Sequence, residues 1–141
     1  MKDIETRQDI EKLLKIFYEK AFADETIGYI FRDVAKLDLA EHLPVIADFW
    51  EMMLLGTINF QEKYKRSPML KHIVLNEKEP LLREHFQQWL KIFFQTIDEN
   101  FSGEKADSAK ARAGAIANTM FMKVSSENFA GVRVHREKSS L

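Results

Sequence analysis

The stretch SPMLKHIVL, residues 67–75, places a single imidazole, that of His72, among apolar side chains. Ser67 followed by Pro68 favours a helix start, because Ser can cap a helix and the fixed φ of Pro suits the first helical position. The polar residues 76–79 then interrupt the apolar pattern. We therefore predict one or two helical turns that carry His72.

The surroundings of His72 limit the chemistry that its imidazole can support. A lone histidine on a short helix is usually a surface or hydrogen-bonded residue. The chain has no His-Glu-x-x-His motif, and no carboxylate lies one helical turn from His72, which disfavours zinc. A single imidazole with apolar flanks can still bind a haem iron axially, because the porphyrin supplies the remaining nitrogen ligands.

Helical periodicity dominates the rest of the 141-residue chain, which has only five glycines and three prolines. The pattern predicts an all-α domain over residues 1–129 and a flexible C-terminal tail over 130–141. Thr6 is a candidate cap of the first helix, with Asp9 completing a weak capping box. The further predicted elements are a short turn at 27–31, a helix at about 39–55 containing Pro44 and ended by Gly56, a loop at 57–67, a helix at about 80–100 opened by Pro80, and a helix at about 104–128.

Composition excludes several classes of function. The formal net charge is -1 and the pI is near 6.4, which argues against a nucleic-acid binder that relies on a basic face. The absence of cysteine excludes disulfides, thiolate metal ligands and a thiol nucleophile. No apolar run is long enough to span a bilayer and the N-terminus has no signal core, so we expect a cytoplasmic protein without membrane contact.

Several aromatic and polar side chains are candidates for lining a pocket. Tyr18 lies at the edge of the apolar stripe of the first helix, either as a boundary residue or with its hydroxyl aimed at a ligand. His42, Ile46 and Trp50 follow one line of the third element, as core residues or as a lid over a ligand. Trp89 fits a core position equally well, although its indole N–H needs a partner when buried.

Basic residues cluster just before His72, namely Lys63, Lys65, Arg66 and Lys71. The simplest interpretation is a solvated loop. The functional hypothesis is that these side chains, Arg66 and Lys71 in particular, pair with the carboxylates of a porphyrin. A rival hypothesis is that they dock an acidic reductase.

Five segments of the chain together resemble the group III truncated haemoglobins. They occur in the same order as in that family, from about residue 3 to residue 125, and the set of five is specific although no single segment is. They are Ile16-Phe17-Tyr18-Glu19-Lys20, Ile27-Gly28-Tyr29-Ile30-Phe31, Glu41-His42-Leu43-Pro44-Val45-Ile46-Ala47-Asp48-Phe49-Trp50, Pro68-Met69-Leu70-Lys71-His72 and Phe86-Gln87-Gln88-Trp89-Leu90.

The resemblance implies a two-over-two helical sandwich around haem b. It assigns a role to each matched residue: His72 as the proximal iron ligand, Tyr18 and Trp89 as distal residues, His42 as the distal gate, Ile46 and Trp50 as pocket residues, and Phe31 as an aromatic near the haem edge. His85 is interpreted as a surface residue of the helix that carries Trp89.

Three functions stay open at this point. The resemblance favours a monomeric haem protein that binds oxygen, nitric oxide or another diatomic ligand. The alternative is a nitric oxide dioxygenase or peroxidase-like haem enzyme, which needs an external reductase because the sequence has no flavin or nicotinamide domain. The third possibility is a haem-free helical interaction module.

Overall fold

The computed structural model of the protein describes residues 1–57, 75–76 and 79–139, with side chains as far as residue 126. Regular structure within these ranges is entirely helical, so the predicted all-α class is confirmed. None of the helices in these ranges combines the length and apolar character that crossing a bilayer requires.

Four long helices form the framework, in the order α1 (Arg7–Ala23), α2 (Leu39–Leu55), α3 (Arg83–Asn100) and α4 (Glu104–Ser139). A short π-helical turn, Ile30–Val34, lies between α1 and α2. Helix α1 packs on α2 and on α3, and α3 packs on α4, which also touches α2. Two helical pairs therefore face each other, as the two-over-two expectation requires.

The N-terminus of α1 has the predicted capping box. The Thr6 hydroxyl accepts from the Asp9 N–H at 3.2 Å, and the Asp9 carboxylate accepts from the Thr6 N–H at 3.1 Å. Burial alone would raise the pKa of Asp9, but hydrogen bonds from Lys2, the Glu5 N–H and Thr6 lower it to about 2. The carboxylate therefore stays ionised and holds the chain entry to α1 in place.

Asp3 supplies the cap of α4 from the opposite end of the chain. Its carboxylate accepts from the Lys105 and Ala106 N–H groups at 2.9 and 2.8 Å, where the helix dipole favours negative charge. Gly103 precedes this helix with φ of 144°, and a Cβ there would lie 2.5 Å from the Asp3 side chain. Glycine is therefore required at this crossing for both conformation and space.

Helix α2 has the bounds that the sequence predicts. Asp38 caps it by accepting from the Ala40 N–H at 3.0 Å, and Gly56 ends it with φ of 70°. Pro44 lies inside the helix. Because the helix begins only about one turn earlier, the missing amide costs a single internal hydrogen bond, that to the Ala40 carbonyl.

Two predicted helix ends are wrong. Helix α3 begins at Arg83 and not at Pro80, because Leu82 is extended and its N–H donates to Nδ1 of His85 at 2.9 Å. Helix α4 continues to Ser139, past the predicted end near residue 128. The boundary at 129–130 is therefore not a break in the helix, and a mobile segment over 130–141 stays a prediction. The loop at 57–67 and the short helix at 67–75 lie almost wholly outside the described residues.

Candidate functional site

An aromatic cluster forms where α1, α2 and α3 meet. Trp89 of α3 stacks on Phe93, with ring centroids 5.3 Å apart and planes 8° apart. Trp50 of α2 also stacks on Phe93, at 5.1 Å and 25°. Phe17 of α1 meets both Trp89 and Phe93 edge-on, at 5.8 and 5.3 Å. Each of the three helices therefore contributes aromatic rings to one continuous contact.

Tyr18 and His42 form a hydrogen-bonded pair beside this cluster. The Tyr18 Oη atom lies 3.0 Å from Nε2 of His42, and the two rings are nearly perpendicular. Tyr18 is 6% exposed, and burial raises the pKa of its phenol. The hydroxyl therefore keeps its proton at every physiological pH and can act as a hydrogen-bond donor.

The tautomer of His42 decides what this pair can offer to a ligand. If Nε2 carries the proton, the imidazole donates to Tyr18 Oη and the phenol proton can turn toward a third group. If Nε2 is bare, the phenol donates to it instead. Only the first arrangement leaves the phenol proton free for a ligand while the pair stays intact.

The other described pocket candidates lie around the pair at different depths. Phe31, in the π-helical turn, meets Tyr18 edge-on at 5.9 Å and stacks on Phe22 at 5.7 Å. Ile46 is partly buried against the core. Trp50 is 4% exposed and lies deeper, in the stack on Phe93. The structure thus brings His42 and Phe31 each into contact with Tyr18, with Trp89 joined to Tyr18 through Phe17.

The predicted iron ligand His72 lies outside the described residues, as do Arg66 and Lys71. In the part of the chain that is described, no group of three His, Asp or Glu side chains is arranged to hold a metal ion by itself. The metal site and the carboxylate-binding residues therefore stay predictions.

A second tyrosine–histidine pair was not anticipated from the sequence. The Tyr29 Oη atom lies 3.3 Å from Nε2 of His85 and 3.5 Å from Oε1 of Glu79. His85 is half-buried rather than a plain surface residue. Tyr29 and His85 are far apart in sequence, and neither belongs to a motif with chemistry of its own, so no sequence feature marked the contact.

Arg7 is another residue that sequence analysis missed. Its guanidinium donates to Asp48 of α2, whose side chain is 4% exposed, and lies 3.7 Å from Glu51. A charged residue at the start of an amphipathic helix usually faces solvent, and only the packing of α2 on α1 shows that Arg7 faces buried carboxylates.

Comparison with known proteins gives two matches of similar extent. The chain is 33% identical over 115 residues to group 3 truncated haemoglobin ctb of Campylobacter jejuni, covering 79% of this chain and 85% of that protein. It also matches the crystal structure of a group III truncated haemoglobin from Campylobacter jejuni with a TM-score of 0.73 and 31% identity, over 88% of this chain and 95% of the other. No family model matches the chain.

The helical sandwich and its aromatic centre, together with these matches, define a haem globin of the truncated class. The chain belongs to the group III truncated haemoglobins. Membership of this family implies a haem cofactor.

Proposed function

We propose that the protein binds haem b with His72 as the proximal ligand and holds oxygen or another diatomic ligand beside Tyr18, His42 and Trp89. The observation that carries the proposal is the hydrogen bond between the buried Tyr18 and the half-buried His42, beside the aromatic cluster. A flat apolar cofactor fits rings of this kind, and a polar ligand on one side of it fits the pair.

The chemistry of the described side chains fits the distal side of a haem. Tyr18 and Trp89 provide a hydroxyl and an indole N–H that can donate to a ligand, and the His42 imidazole can orient the hydroxyl. The buried carboxylates of α2, Asp48 and Glu51, are turned toward Arg7 and paired with it. These donors would stabilise a ligand that gains partial negative charge on binding, whereas an unpaired carboxylate would repel it.

Each residue then has a definite task. The haem supplies reversible coordination of the ligand, and the protein controls how long the ligand stays. Tyr18 and Trp89 donate hydrogen bonds to the ligand, while His42 acts as a gate that also orients the Tyr18 hydroxyl. Phe31, Ile46 and Trp50 contact the cofactor or shape its surroundings. Arg66 and Lys71 pair with the haem carboxylates near solvent.

The second candidate is a haem enzyme of the nitric oxide dioxygenase or peroxidase-like kind. The same hydrogen-bonded pair favours it, because a hydroxyl and an imidazole in contact can pass a proton to or from a ligand. This function requires electrons from an external reductase. A monomeric state and a cytoplasmic location remain predictions under either function.

A visible spectrum of the full chain titrated with haem tests the proposal. We expect a Soret band that saturates with haem and that shifts reversibly with oxygen and with carbon monoxide in the ferrous form. A chain that folds as a helical protein but gives no Soret band is the haem-free interaction module instead. Sustained turnover of nitric oxide or peroxide with a reductase would assign the enzyme function.

A further inference from the structure

Polar contacts attach α2 to α1 at two separate points along one stripe of α1. Arg7, Glu11, Lys15 and Tyr18 follow one another at helical spacing and so share a face of that helix. Arg7 holds α2 at one end of the stripe, and Tyr18 holds His42 at the other. The position of α2 over the pocket therefore depends on both ends.

The Arg7 attachment consists of several bonds from one guanidinium. Its guanidinium donates to the Asp48 carboxylate and, at 3.4 Å, to the Pro44 carbonyl, while its Nε donates to Glu11 at 2.9 Å. Glu51 lies 3.7 Å away. A planar fork can make these bonds to several acceptors at once, and a buried carboxylate strongly requires such a partner.

An open cleft of about 390 Å³ lies between α1 and the start of α2, lined by Glu11 and Lys15 of α1 and by Leu39, Ala40, Leu43 and Pro44 of α2. Pro44 has no N–H to donate to the Ala40 carbonyl, so the first turn of α2 has lost one bond to the rest of its own helix. His42 lies in this turn, whose position therefore depends more on its contacts with α1.

We propose that Arg7 is a positioning residue that fixes the first turn of α2 and thereby keeps His42 at hydrogen-bond distance from Tyr18. The inference rests on the proposed function of His42 as a gate and assigns its control to a residue outside the pocket. With Arg7 in place the gate is mostly closed. With Arg7 loosened, α2 moves about the remaining contact, His42 leaves Tyr18 more often, and ligands enter faster.

The test is a double-mutant cycle on carbon monoxide association, measured by flash photolysis of the haem-loaded protein. Arg7→Lys keeps a positive charge beside Asp48 but cannot bond Asp48 and the Pro44 carbonyl together. We expect Arg7→Lys to raise the association rate. The factor by which His42→Leu changes that rate should be smaller by about 3-fold or more in the Arg7→Lys background than in the wild type. Additive effects of the two substitutions would overturn the inference.

A matched control separates positioning from general stabilisation. Lys20 and Glu99 form an ion pair of 2.6 Å that joins α1 to α3 without touching α2. Lys20→Gln should leave the association rate and the effect of His42→Leu unchanged. An equal effect of Lys20→Gln and Arg7→Lys would show that loosening any contact of α1 suffices, which contradicts a special role of Arg7.

Amide hydrogen exchange gives a second readout that does not depend on the haem. We expect Arg7→Lys to accelerate exchange in residues 39–44 by about 3-fold or more and to leave α3 unchanged. If the wild-type chain shows no Soret band, the proposed function fails while this experiment still tests the attachment. Unchanged exchange in residues 39–44 would refute the inference even in a protein that binds haem normally.

A second variant covers the case in which Arg7→Lys does not fold. Arg7→Met combined with Asp48→Leu and Glu51→Met removes the guanidinium together with both carboxylates that it faces, and such apolar replacements of buried ion pairs are often tolerated. The bond from residue 7 to the Pro44 carbonyl is lost in this variant as well, so His42→Leu should again have a smaller effect on association than in the wild type. Retained coupling in this folded variant would contradict the inference.

Discussion

The described part of the chain contains two tyrosine–histidine pairs, which are alike in chemistry and ring geometry but differ in their surroundings. Tyr18 and His42 approach to 3.0 Å and Tyr29 and His85 to 3.3 Å, in both cases between Oη and Nε2. Both pairs of rings meet edge-on, at 85° and 69°. The surroundings decide which pair can serve a ligand.

Local bonds already engage the Tyr29–His85 pair. His85 Nδ1 accepts from the Leu82 N–H at 2.9 Å, so in the neutral ring Nε2 carries the proton and donates to Tyr29. The Tyr29 hydroxyl then points to Glu79 at 3.5 Å. This chain of bonds satisfies the N-terminus of α3 and joins the π-helical region to it, which is a structural task.

The Tyr18–His42 pair instead bridges two helices beside the aromatic cluster. Tyr18 touches the rings of Phe17 and Phe31, and among the described residues no carboxylate is hydrogen-bonded to its hydroxyl. Residue type alone therefore does not mark a functional pair. What distinguishes Tyr18 is its burial among aromatic rings and a hydroxyl that, within the described ranges, bonds to the imidazole of another helix rather than to a carboxylate.

The largest expected effect is a difference in haem affinity between variants of His72 and of His85. His72→Ala should weaken haem binding by at least about 100-fold, since loss of a second-shell partner alone costs roughly 10- to 100-fold. His85→Ala should leave haem binding near the wild-type value, because His85 caps α3. Titration of each variant with haem, followed in the Soret region, measures both.

Added imidazole gives the control for this result. It should partly restore the ferrous spectrum of His72→Ala by replacing the missing ligand. Full haem retention with an unchanged spectrum in that variant would remove His72 as the iron ligand. If His85→Ala lost haem and His72→Ala did not, the purely structural role assigned to the Tyr29–His85 pair would be wrong.

Alkaline titration sharpens the comparison at the two phenols. Burial raises the pKa of Tyr18 strongly, whereas burial and then the charge of Glu79 raise that of Tyr29 less. A phenol whose pKa is higher in the folded than in the unfolded state stabilises the fold. This contribution to the free energy of unfolding is complete below about pH 10 and falls by about 1.4 kcal/mol for each further pH unit. Phenolate absorbance should therefore show Tyr29 ionising before Tyr18.

Replacing each tyrosine by phenylalanine assigns the ionisation steps to Tyr18 and Tyr29. Tyr18→Phe should remove the later step and make unfolding less steeply dependent on alkaline pH, and Tyr29→Phe should remove an earlier one. The opposite order of ionisation would show that Tyr18 is the more solvated phenol, and the distinction drawn between the pairs would be wrong.

The smallest expected effect concerns Arg66 and Lys71, which are predicted to meet the haem carboxylates. Exposed ion pairs contribute only about 0–1 kcal/mol each, so Arg66→Ala with Lys71→Ala should raise the haem dissociation rate about 2- to 5-fold, and more at low salt. Transfer of haem to an acceptor globin measures this rate. Unchanged haem loss with slower, salt-sensitive reduction would instead assign both residues to a reductase site.

The parts of the fold that were predictable from sequence depend on neighbours in the chain. The Thr6–Asp9 capping box and the bounds of α2 follow from residues within one turn of each helix end, and they are confirmed. The start of α3 was missed because Leu81 donates to Asn76 and Leu82 to His85 in place of a helical turn. Pro80 fits both a helix that begins at residue 80 and an extended segment that precedes a helix beginning at Arg83.

The site was predictable only as far as its residue types go. Periodicity placed Tyr18 and His42 on faces of two helices, but their contact depends on how α1 crosses α2. The ion pair between Arg7 and Asp48 spans 41 residues, and the cap of α4 by Asp3 spans more than 100. Neither contact has a local pattern, since charged residues near helix ends are usually solvated.

The oxygen dissociation rate of Tyr18→Phe against that of Tyr29→Phe tests the central claim most directly. A donor to the ligand contributes about 1–3 kcal/mol, or roughly 5- to 150-fold in rate, so Tyr18→Phe and Trp89→Phe should each release oxygen faster by this factor. Carbon monoxide, which is less polar, should be affected less. Tyr29→Phe should stay within about 2-fold of wild type. Wild-type rates in both Tyr18→Phe and Trp89→Phe, or equal acceleration in Tyr18→Phe and Tyr29→Phe, would contradict the account.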